Sequence, residues 1–378
     1  MKKIKAEIIA DSLNEHGQRC TTYILTYPRI IHAEVMTHRV FSRNAASSRA
    51  IPFKKMVKMV QDDPFVPIAF QKDHTGMQGN EYITHADNPI ELVNGETQSD
   101  LDRVETSWKN NAVLAAKGAT MLNKAGVTKQ ICNRGLETYL WYTCIVTSTE
   151  YDNFFKLRCP QYTWKEGEPV FKSKKEYVAH YPGSFDHRGT VDWLKVNKGA
   201  GEIHIMELAE CMYDSMNEST PKQLKAGDWH IPFGDRFDSG RVSDLVARFY
   251  ESAATAEDTY NKAAQEIMVK IATARCARVS YENFDGKDDY AADIKLYDRL
   301  ATMGHMSPFE HCAQAMTDKE YYSNVRGTVK IGTENSGDLF LYEVYPAAED
   351  TQSIYGWCGN FRGFIQERKT MAGEDGTI

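Results

Sequence analysis

Two strand-like runs at the start of the chain lead directly into a segment crowded with arginine, histidine and hydroxyl side chains. The runs at 4–9 and 22–27 are rich in β-branched and aromatic residues, and a polar turn at 14–17 joins them. The next segment, 37–49, holds three arginines, a histidine and four hydroxyl side chains. Guanidinium groups match phosphate oxygens, and hydroxyls and backbone N–H groups complete such a site. The pattern predicts an anion-binding segment after the strands, the alternative being a solvated basic loop.

The composition narrows the classes of protein. The chain has 378 residues, of which 42% are hydrophobic and 26% charged, enough for a substantial globular core. Its net charge of −7 argues against a general nucleic-acid binder, which needs a surplus of lysine and arginine. No apolar run reaches the roughly 18 residues of a membrane helix, and the N-terminus lacks the apolar region of a signal peptide. We therefore expect a cytoplasmic protein that binds neither nucleic acid nor membranes.

The eight cysteines show no CxxC pair and no repeated spacing. In a chain of this length, that pattern favours reduced, mostly buried thiols over a disulfide framework or a zinc site. Cys312 adjoins His311, but sequence neighbours on a helix or strand point apart. The pair is therefore weak support for a catalytic thiolate.

Helical spacing of apolar residues recurs along much of the remaining chain. The expected elements are an amphipathic segment at 53–60, helices at 101–125, 128–142, 203–216, 242–274 and 292–303, and a β-branched strand at 141–149. Residues 71–95 are expected to form a loop, and residues 160–201 a loop-bearing insertion.

A second segment with anion-binding character lies at 304–311. Ser307 is followed by Pro308, and Glu310 comes three residues after Ser307, which is the arrangement of a capping box that starts a helix. A helix N-terminus binds anions through its free N–H groups. Two distant segments, 37–49 and 304–311, thus each combine histidine, charged side chains and anion-binding backbone.

These segments resemble the motifs of the flavin-dependent thymidylate synthases. The residues similar to the family's RHRxxSxNxxSxR signature are His38, Arg39, Ser42, Asn44, Ser47 and Arg49. Residues 277–280 and 304–311 resemble its ARVS and HGHxSPFEH segments, and residues 153–158 resemble its NFxxLR stretch. Glu202 and Ile203 resemble the EI that opens a later helix of the family.

The order of the motifs departs from the family. Its members run ARVS, SPFEH, RHR and NFxxLR, whereas here the first two follow the last two, as in a circular permutation. The resemblance implies an α+β fold, with a twisted, mainly antiparallel sheet flanked by helices, in a homotetramer whose subunits share active sites. It also implies one catalytic domain over 1–378, with an insertion at 160–201 and a C-terminal extension at 340–378.

The resemblance implies methyl transfer from methylenetetrahydrofolate to C5 of dUMP, giving dTMP, with FAD as cofactor and NADPH as reductant. Ser47, Ser48 and Arg49 would hold the nucleotide phosphate, and Arg134 is a candidate for a second phosphate contact. Arg158 would donate to the pyrimidine edge, which polarises the ring while charge builds on it.

The cofactor side is implied in the same way. His38 and Arg39 would contact FAD, Asn153 would lie on its isoalloxazine or ribityl side, and Ser307 and Glu310 complete the set, with Glu310 accepting from flavin hydroxyls. His305 would lie against the flavin face, where folate and nicotinamide stack. The structural alternatives are carboxylate pairing for Arg39 and Arg49, a backbone bond for His305, a turn cap for Asn153, and a surface salt bridge for Arg134.

Five positions differ from the family pattern. Thr37 replaces the first arginine of the RHR triplet, Glu34 replaces a nucleotide-contacting glutamine, and Ala45 replaces a glutamate. Thr147 and Thr149 stand where flavin-contacting asparagine and arginine are expected. A lost cation and a gained carboxylate beside a phosphate are repulsive, by on the order of 1 kcal/mol or more in a partly buried site.

The C-terminal segment 360–369 is a candidate for compensation. It carries Arg362, Gln366 and Arg368, and it follows the SPFEH-like segment as the RHR region does in the family. We expect Arg362→Ala or Arg368→Ala to weaken nucleotide or flavin binding, and wild-type affinities in both variants would discard the hypothesis.

Two other interpretations stay open at this stage. Glu34 is suited to accept from the exocyclic amine of cytosine, so the substrate is alternatively dCMP, or the product a hydroxymethylated pyrimidine. A non-catalytic metal-binding or structural protein is the second, since His32, Glu34 and His38 lie close in sequence and Glu310 and His311 add donors. The strand-like context of 32–38 and the lack of HExxH argue against that metal site.

Overall fold

The largest sheet has five strands, four of them supplied by the first 148 residues. The structure is a computed structural model, and it describes residues 2–75, 79, 81–93, 97–164, 167–183, 190–250, 257–281, 288–324, 329–333, 339–343 and 361–371. The strands are β1 Lys5–Asn14, β2 Arg19–Pro28, β3 Ser42–Ala45, β4 Ile90–Glu91, β5 Thr97–Gln98, β6 Trp141–Ser148, β7 Lys222–Leu224, β8 Trp229–His230, β9 Ala313–Ala315, β10 Val329–Thr333, β11 Leu339–Glu343 and β12 Phe364–Gln366.

Helices lie between groups of these strands along the chain. They are α1 His32–Met36, α2 Phe53–Asp62, α3 Asp100–Lys124, α4 Lys129–Cys132, α5 Asp152–Arg158, α6 Lys174–His180, α7 Thr190–Val196, α8 Ile203–Glu218, α9 Ser239–Phe249, α10 Glu257–Arg278, α11 Tyr290–Thr302 and α12 Asp318–Asn324. Short 3-10 helices include Asn133–Tyr139, Val279–Tyr281 and Ser307–Glu310.

The five-stranded sheet has the order β3-β6-β2-β1-β7 and is antiparallel except at the β1–β7 edge. The β1–β2 hairpin confirms the two strands expected at the N-terminus, each longer than the sequence pattern indicated. Gly17, at φ +74°, takes the left-handed conformation in the connecting turn. The molecule is thus a mixed α and β structure, and the mainly antiparallel sheet matches the expectation.

Helices α5 and α8 cover one side of this sheet. Tyr23 and Leu25 of β2 pack with Phe154 of α5 and with Leu208 and Met212 of α8 in one buried cluster. Each such side chain contributes about 1.5–3 kcal/mol relative to leaving it in water. This burial fixes α5, and with it Arg158, against the sheet.

A second cluster joins α2 and α3 to the turn after β3. Helix α3 begins with a capping box between Ser99 and Asp102 and buries Ala112 and Ala116 against Met56 of α2. The small alanine side chains let the two helices approach closely. The expected helix at 101–125 and the amphipathic segment at 53–60 are both confirmed.

Two helix predictions were wrong in extent. The stretch 128–142 contains only the four-residue α4 and then a 3-10 helix before β6. The expected helix at 242–274 is instead α9 and α10, with residues 251–256 between them outside the described part. Apolar spacing alone does not reveal such interruptions, because both helices present apolar residues to a shared cluster.

The stretch 160–201 contains α6 and α7 and forms its own small apolar cluster around Tyr162, Tyr177 and Val196. Its role as an insertion, like the other domain boundaries, stays a prediction. The seven cysteines in the described part are free thiols, and six of them are buried. No helix among the described residues combines the length and apolar character needed to cross a membrane.

Candidate active site

Three segments that lie far apart in the sequence line one cavity of about 930 Å³. The first supplies Asn44 and Ala50, the second supplies residues 277, 278, 280 and 281, and the third supplies His305, Ser307 and Pro308. These are parts of the RHR-like, ARVS-like and SPFEH-like motifs. The structure therefore brings three of the four main motifs together within a single chain.

Two hydrogen bonds to backbone carbonyls hold the first two segments side by side. Ser47 donates its N–H to the carbonyl of Ser280 at 2.9 Å. The Asn44 side chain, which is buried, donates to the carbonyl of Cys276 at 2.5 Å. The end of α10 is thereby attached to β3 and to the turn that follows it.

The cavity combines cationic side chains with apolar walls. Arg278 lines it and is held by Asp293, whose side chain is only 1% exposed, at 2.8 Å. Lys55 and Arg299 line it as well, and Leu296, Leu300 and Met303 supply apolar surface. A ring-containing molecule with a phosphate fits this chemistry and volume.

Sequence reasoning missed Lys55 and Arg299 as candidate binding residues. Arg299 lies on α11, one helical turn before the loop that carries His305, and Lys55 lies on α2 just after the turn at 47–51. The sequence did contain a signal for both residues, because each lies close to a recognised motif. In the described part of the chain, Arg299 makes no side-chain hydrogen bond or ion pair, so its guanidinium is available to an anion.

The turn at 47–51 forms one edge of the cavity. Asn133 is fully buried and donates to the carbonyls of Ser48 and Ile51, at 2.7 and 3.0 Å, which fixes the turn. Arg49 is exposed and does not line the cavity, although its neighbour Ala50 does. The predicted phosphate residues Ser47, Ser48 and Arg49 thus lie at or beside the cavity that contains His305.

Arg134 lies near this turn but points into an ion pair. Its guanidinium is 3.8 Å from the Glu137 carboxylate, and its side chain is 57% exposed. This geometry matches the surface salt bridge that was the structural alternative for this residue. Its role in phosphate binding stays a prediction.

A separate group surrounds His38. Arg158 Nε donates to His38 Nε2 at 3.1 Å, and the His38 ring packs edge-on against Phe154. Burial, together with the nearby Arg158 and Arg43, lowers the pKa of His38 to about 4. The imidazole is therefore neutral at physiological pH and accepts the hydrogen bond.

Arg39 and Asn153 are exposed beside this pair, and Asn153 lies within α5 rather than capping it. Eight residues, four of them in β3, separate His38 from the turn at 47–51. Neither Arg158 nor His38 lines the cavity that contains His305.

The helix α1 contradicts the strand-like context assumed for residues 32–38. It covers His32–Met36, so Glu34 and His38 do not share a helical face. Glu34 has one carboxylate oxygen, Oε2, that is buried without a hydrogen-bond donor in the described part of the chain. His32 instead bonds Tyr27 at 2.9 Å. No three potential metal-ligating side chains come together in the described residues.

The capping box predicted at Ser307 is wrong. Residues Ser307–Glu310 form a single 3-10 turn, and no side chain caps its start. The Glu310 carboxylate instead forms an ion pair with Arg368. A charged partner from the C-terminal segment thus replaces the local hydrogen bond that the spacing suggested, and so short a turn has no helix N-terminal anion site.

The described C-terminal residues, 361–371, return to the RHR-like segment. Strand β12 pairs with β9, and Gln366 donates to the Ser42 hydroxyl at 2.8 Å and to the Glu310 carbonyl at 2.9 Å. Arg362 lies 3.3 Å from Glu150 and donates its N–H to Thr149. The segment thus returns to the RHR-like residues, but both of its arginines are in ion pairs with carboxylates, Arg362 with Glu150 and Arg368 with Glu310. The compensation stays a hypothesis, and Asn360 lies outside the described residues.

Thr147 belongs to a buried chain of hydrogen bonds that crosses the sheet. Its hydroxyl contacts His311 Nδ1 and the Thr22 hydroxyl, each at 2.8 Å. Thr22 also contacts His230 Nε2 at 2.7 Å, and His230 Nδ1 contacts Ser12 at 2.8 Å. Thr147 is therefore a core residue here and does not offer the flavin contact expected from the family position.

The two buried histidines in this chain of hydrogen bonds predict that the stability of the protein depends on pH. Burial lowers the pKa of His230 from 6.5 to about 4 and that of His311 to about 3. As pH falls below 6.5, the unfolded chain binds protons at these residues and the folded chain does not. The stability they preserve at neutral pH is thus lost progressively toward pH 4, by about 1.4 kcal/mol per pH unit per histidine.

We expect His311→Asn to reduce this slope, measured by urea unfolding at pH 7, 6 and 5, by about 1 kcal/mol per unit averaged over that range. If that variant does not fold, His230→Asn is the second choice. The exposed His305→Asn is the control and should keep the wild-type slope. An unchanged slope in both core variants would contradict the pKa assignment.

The residues assigned to FAD fall into two groups. His38, Arg39 and Asn153 lie near Arg158, whereas Ser307 lines the cavity and Glu310 is paired with Arg368. Their cationic and polar side chains fit the phosphates and hydroxyls of a flavin nucleotide in chemistry. His38, Arg39 and Asn153 do not line the cavity, so the two groups are separate sites within the described part of one chain.

The comparisons with known proteins are weak. No described protein family matches the sequence, and no curated protein does. Among solved structures, the chain is similar to the UMP/dUMP methylase PolB from Streptomyces cacaoi bound with 5-Br UMP, at 14% identity and a TM-score of 0.37, covering 58% of this chain and 90% of PolB. The same methylase bound with 5-Br dUMP gives 12%, 0.34, 58% and 91%. Similarity at this level does not establish a shared fold or activity.

Proposed function

We propose that the protein is a flavin-dependent enzyme that transfers a one-carbon unit to C5 of a pyrimidine nucleoside monophosphate, with dUMP as substrate and dTMP as product. The observation that carries the proposal is the convergence of the RHR-like, ARVS-like and SPFEH-like segments on one cavity of about 930 Å³. Residues 44–50 and 277–308 lie far apart in the sequence, so local structure does not bring them together. The resemblance to the family predicts that they meet in the folded protein.

In this proposal the nucleotide binds in the cavity with its phosphate at the mouth. Arg299 and the exposed Arg49 donate to the phosphate, and Ser47 and Ser48 lie in the turn between them. Guanidinium groups suit this role because they donate two parallel hydrogen bonds to phosphate oxygens. The pyrimidine ring packs on the apolar surface of Leu300 and Met303.

The cofactor assignments are part of the same proposal. When bound, FAD and methylenetetrahydrofolate supply the hydride and the carbon unit, with NADPH as reductant. His305 and Ser307 would hold the flavin at the cavity, and His38, Arg39 and Asn153 would contact it from another subunit. Arg158, held at His38, would donate to the pyrimidine from that subunit. The homotetramer, the circular permutation and the cytoplasmic location stay predictions.

The test is to incubate the protein with FAD, methylenetetrahydrofolate, NADPH and dUMP, and to measure the mass of the nucleotide product. We expect dTMP, which adds one CH₂ unit to dUMP. A control without folate should give no product. Unchanged dUMP under all conditions, with flavin bound, would reject the thymidylate synthase reaction.

Glu34 keeps a second candidate open, a methylase or hydroxymethylase that acts on dCMP or dUMP. Its buried oxygen without a donor is the specific observation in favour, since the amine of cytosine supplies such a donor. The same assay with dCMP separates the cases, because a hydroxymethyl product carries one more oxygen than a methyl product. Turnover of dUMP alone, unaffected by Glu34→Gln, would exclude a role for this residue in reading cytosine.

A further inference from the structure

A second cavity, of about 590 Å³, lies where residues 160–201 meet the rest of the chain. Ile4 and Trp141 form part of one wall, Tyr162 and Trp193 form part of another, and Met206 of α8 contributes as well. It shares no lining residue with the cavity described above. Its volume is in the range that small-molecule sites in proteins usually have.

The walls are mainly aromatic and apolar. Tyr162 is 3% exposed, and its ring lies 5.1 Å from the Trp193 ring in an edge-on arrangement. Its hydroxyl already donates to Glu210 at 3.0 Å, so Tyr162 presents its apolar ring rather than a free donor. Val66 and Leu194 extend the apolar surface. A flat aromatic ring suits such walls, because edge and face contacts with indole and phenol rings are favourable.

Trp141 adds a donor that has no partner. The residue is 8% exposed, and its indole Nε1 is buried without a hydrogen-bond acceptor among the residues that the structure describes. An unsatisfied buried donor costs about 1–3 kcal/mol. Phenylalanine would fill similar space without that cost. A ligand atom that accepts from the indole N–H would remove the cost and would account for a tryptophan at this position.

The charges around the cavity favour an anion. Lys109 is paired with Glu105 at 3.1 Å, and Lys174 is paired with Glu207 at 2.9 Å and with Glu210 at 2.8 Å, so neither ammonium group is available to a ligand. That leaves Lys2 and Lys3, which also line the cavity and whose ammonium groups make no ion pair within the described residues.

A smaller neighbouring cavity, of about 190 Å³, is also bordered by Trp141 and Lys2, but it contains Asp62 and Asp63. These carboxylates disfavour an anion there. The larger cavity is therefore the one that suits an anionic ligand.

We propose that the cavity of about 590 Å³ binds a flat aromatic molecule that carries a carboxylate-type anionic group and a hydrogen-bond acceptor. The ring packs against Trp193 and Tyr162, the acceptor meets the indole N–H of Trp141, and the anionic group lies toward Lys2 and Lys3. This site is independent of the proposed nucleotide chemistry, and it gives residues 160–201 a role in ligand binding.

The test uses 2-naphthoate as the probe, with the full-length protein and isothermal titration calorimetry. Its uncharged analogue 2-naphthamide keeps the ring and an acceptor. We expect one molecule of naphthoate to bind, more tightly than naphthamide. Trp141→Phe should weaken both by about tenfold, because one hydrogen bond is lost. The double change Lys2→Ala, Lys3→Ala should weaken only naphthoate.

Two controls locate the probe. Lys5→Ala changes a nearby exposed lysine that does not line the cavity, and Arg299→Ala changes the other cavity; both should bind naphthoate as the wild type does. The lysine variants lie at the surface and test the proposal even if Trp141→Phe unfolds. Absence of naphthoate binding, wild-type affinity in the lysine double variant, or loss of binding in Arg299→Ala would each overturn the proposal.

Discussion

Asp293→Ala is expected to lower the free energy of unfolding by about 3–5 kcal/mol, because it removes one partner of a buried ion-pair cluster. The Asp293 side chain is 1% exposed and accepts from Arg275 at 3.2 Å and from Arg278 at 2.8 Å. Alanine leaves the partly buried Arg278 guanidinium without its Asp293 counter-charge and leaves Arg275 with only the exposed Asp288. Since domains of this kind are stable by only about 5–15 kcal/mol, the loss is a large fraction of the total.

The measurement is urea unfolding followed by circular dichroism, and Asp288→Ala is the matched control. Asp288 also pairs with Arg275, at 2.5 Å, but its side chain is 55% exposed. Exposed ion pairs are worth about 0–1 kcal/mol, so this variant should lose at most that amount. Equal losses in the two variants would show that burial does not set the strength of this cluster.

The Asp293 variant also connects stability to the site. Arg278 lines the cavity, and its guanidinium is paired with Asp293. At temperatures where the Asp293→Ala variant is still folded, we expect weaker ligand binding in the cavity, whereas Asp288→Ala should bind as the wild type does.

Arg299→Glu is expected to weaken dUMP binding by at least about 100-fold, which corresponds to about 2.7 kcal/mol. The change removes a charge-assisted hydrogen bond, worth about 1.5–3 kcal/mol, and places a negative charge beside the phosphate. Arg299 is exposed at the mouth, so the wild-type affinity should fall as ionic strength rises. Calorimetric titration at two salt concentrations measures both effects.

Arg134→Glu is the matched control for this second experiment, because it makes the same charge change on an exposed arginine outside the cavity. We expect its dUMP affinity to change less than threefold, or about 0.6 kcal/mol. If Arg134→Glu loses binding and Arg299→Glu does not, the phosphate lies at the site inferred from the sequence motif and not in the cavity.

Local patterning predicted the regular elements well where one side of an element is buried continuously. The β1–β2 hairpin follows from β-branched and aromatic runs around a polar turn, and α3 follows from apolar spacing with few breakers. Patterning failed at Ser307–Glu310, where serine and glutamate have capping-box spacing. Glu310 bonds Arg368, 58 positions further along the chain, and no local rule includes that partner.

In the candidate site, too, local sequence properties were predicted and contacts between distant segments were not. The sequence identified the anion-binding character of 37–49 and the likeness of four segments to one family, because those properties reside in side-chain types and their spacing. It did not identify Arg299 or Lys55, whose importance depends on which helix faces the cavity. It identified Thr147 as a departure from the family pattern but did not reveal that the structure uses this hydroxyl inside the core.

The sequence by itself determined the kinds of element and the chemistry they carry, since hydrophobic period, turn residues and charge are written in the order of the residues. Only the tertiary structure decided which of these elements meet. Parts of the segments 44–50, 277–281 and 305–308 line one cavity because hydrogen bonds join the first segment to the end of α10 and the residues after it, while Arg158 bonds His38 and does not line the cavity. Contacts between distant segments depend on the packing of the whole chain, which no single stretch of sequence contains.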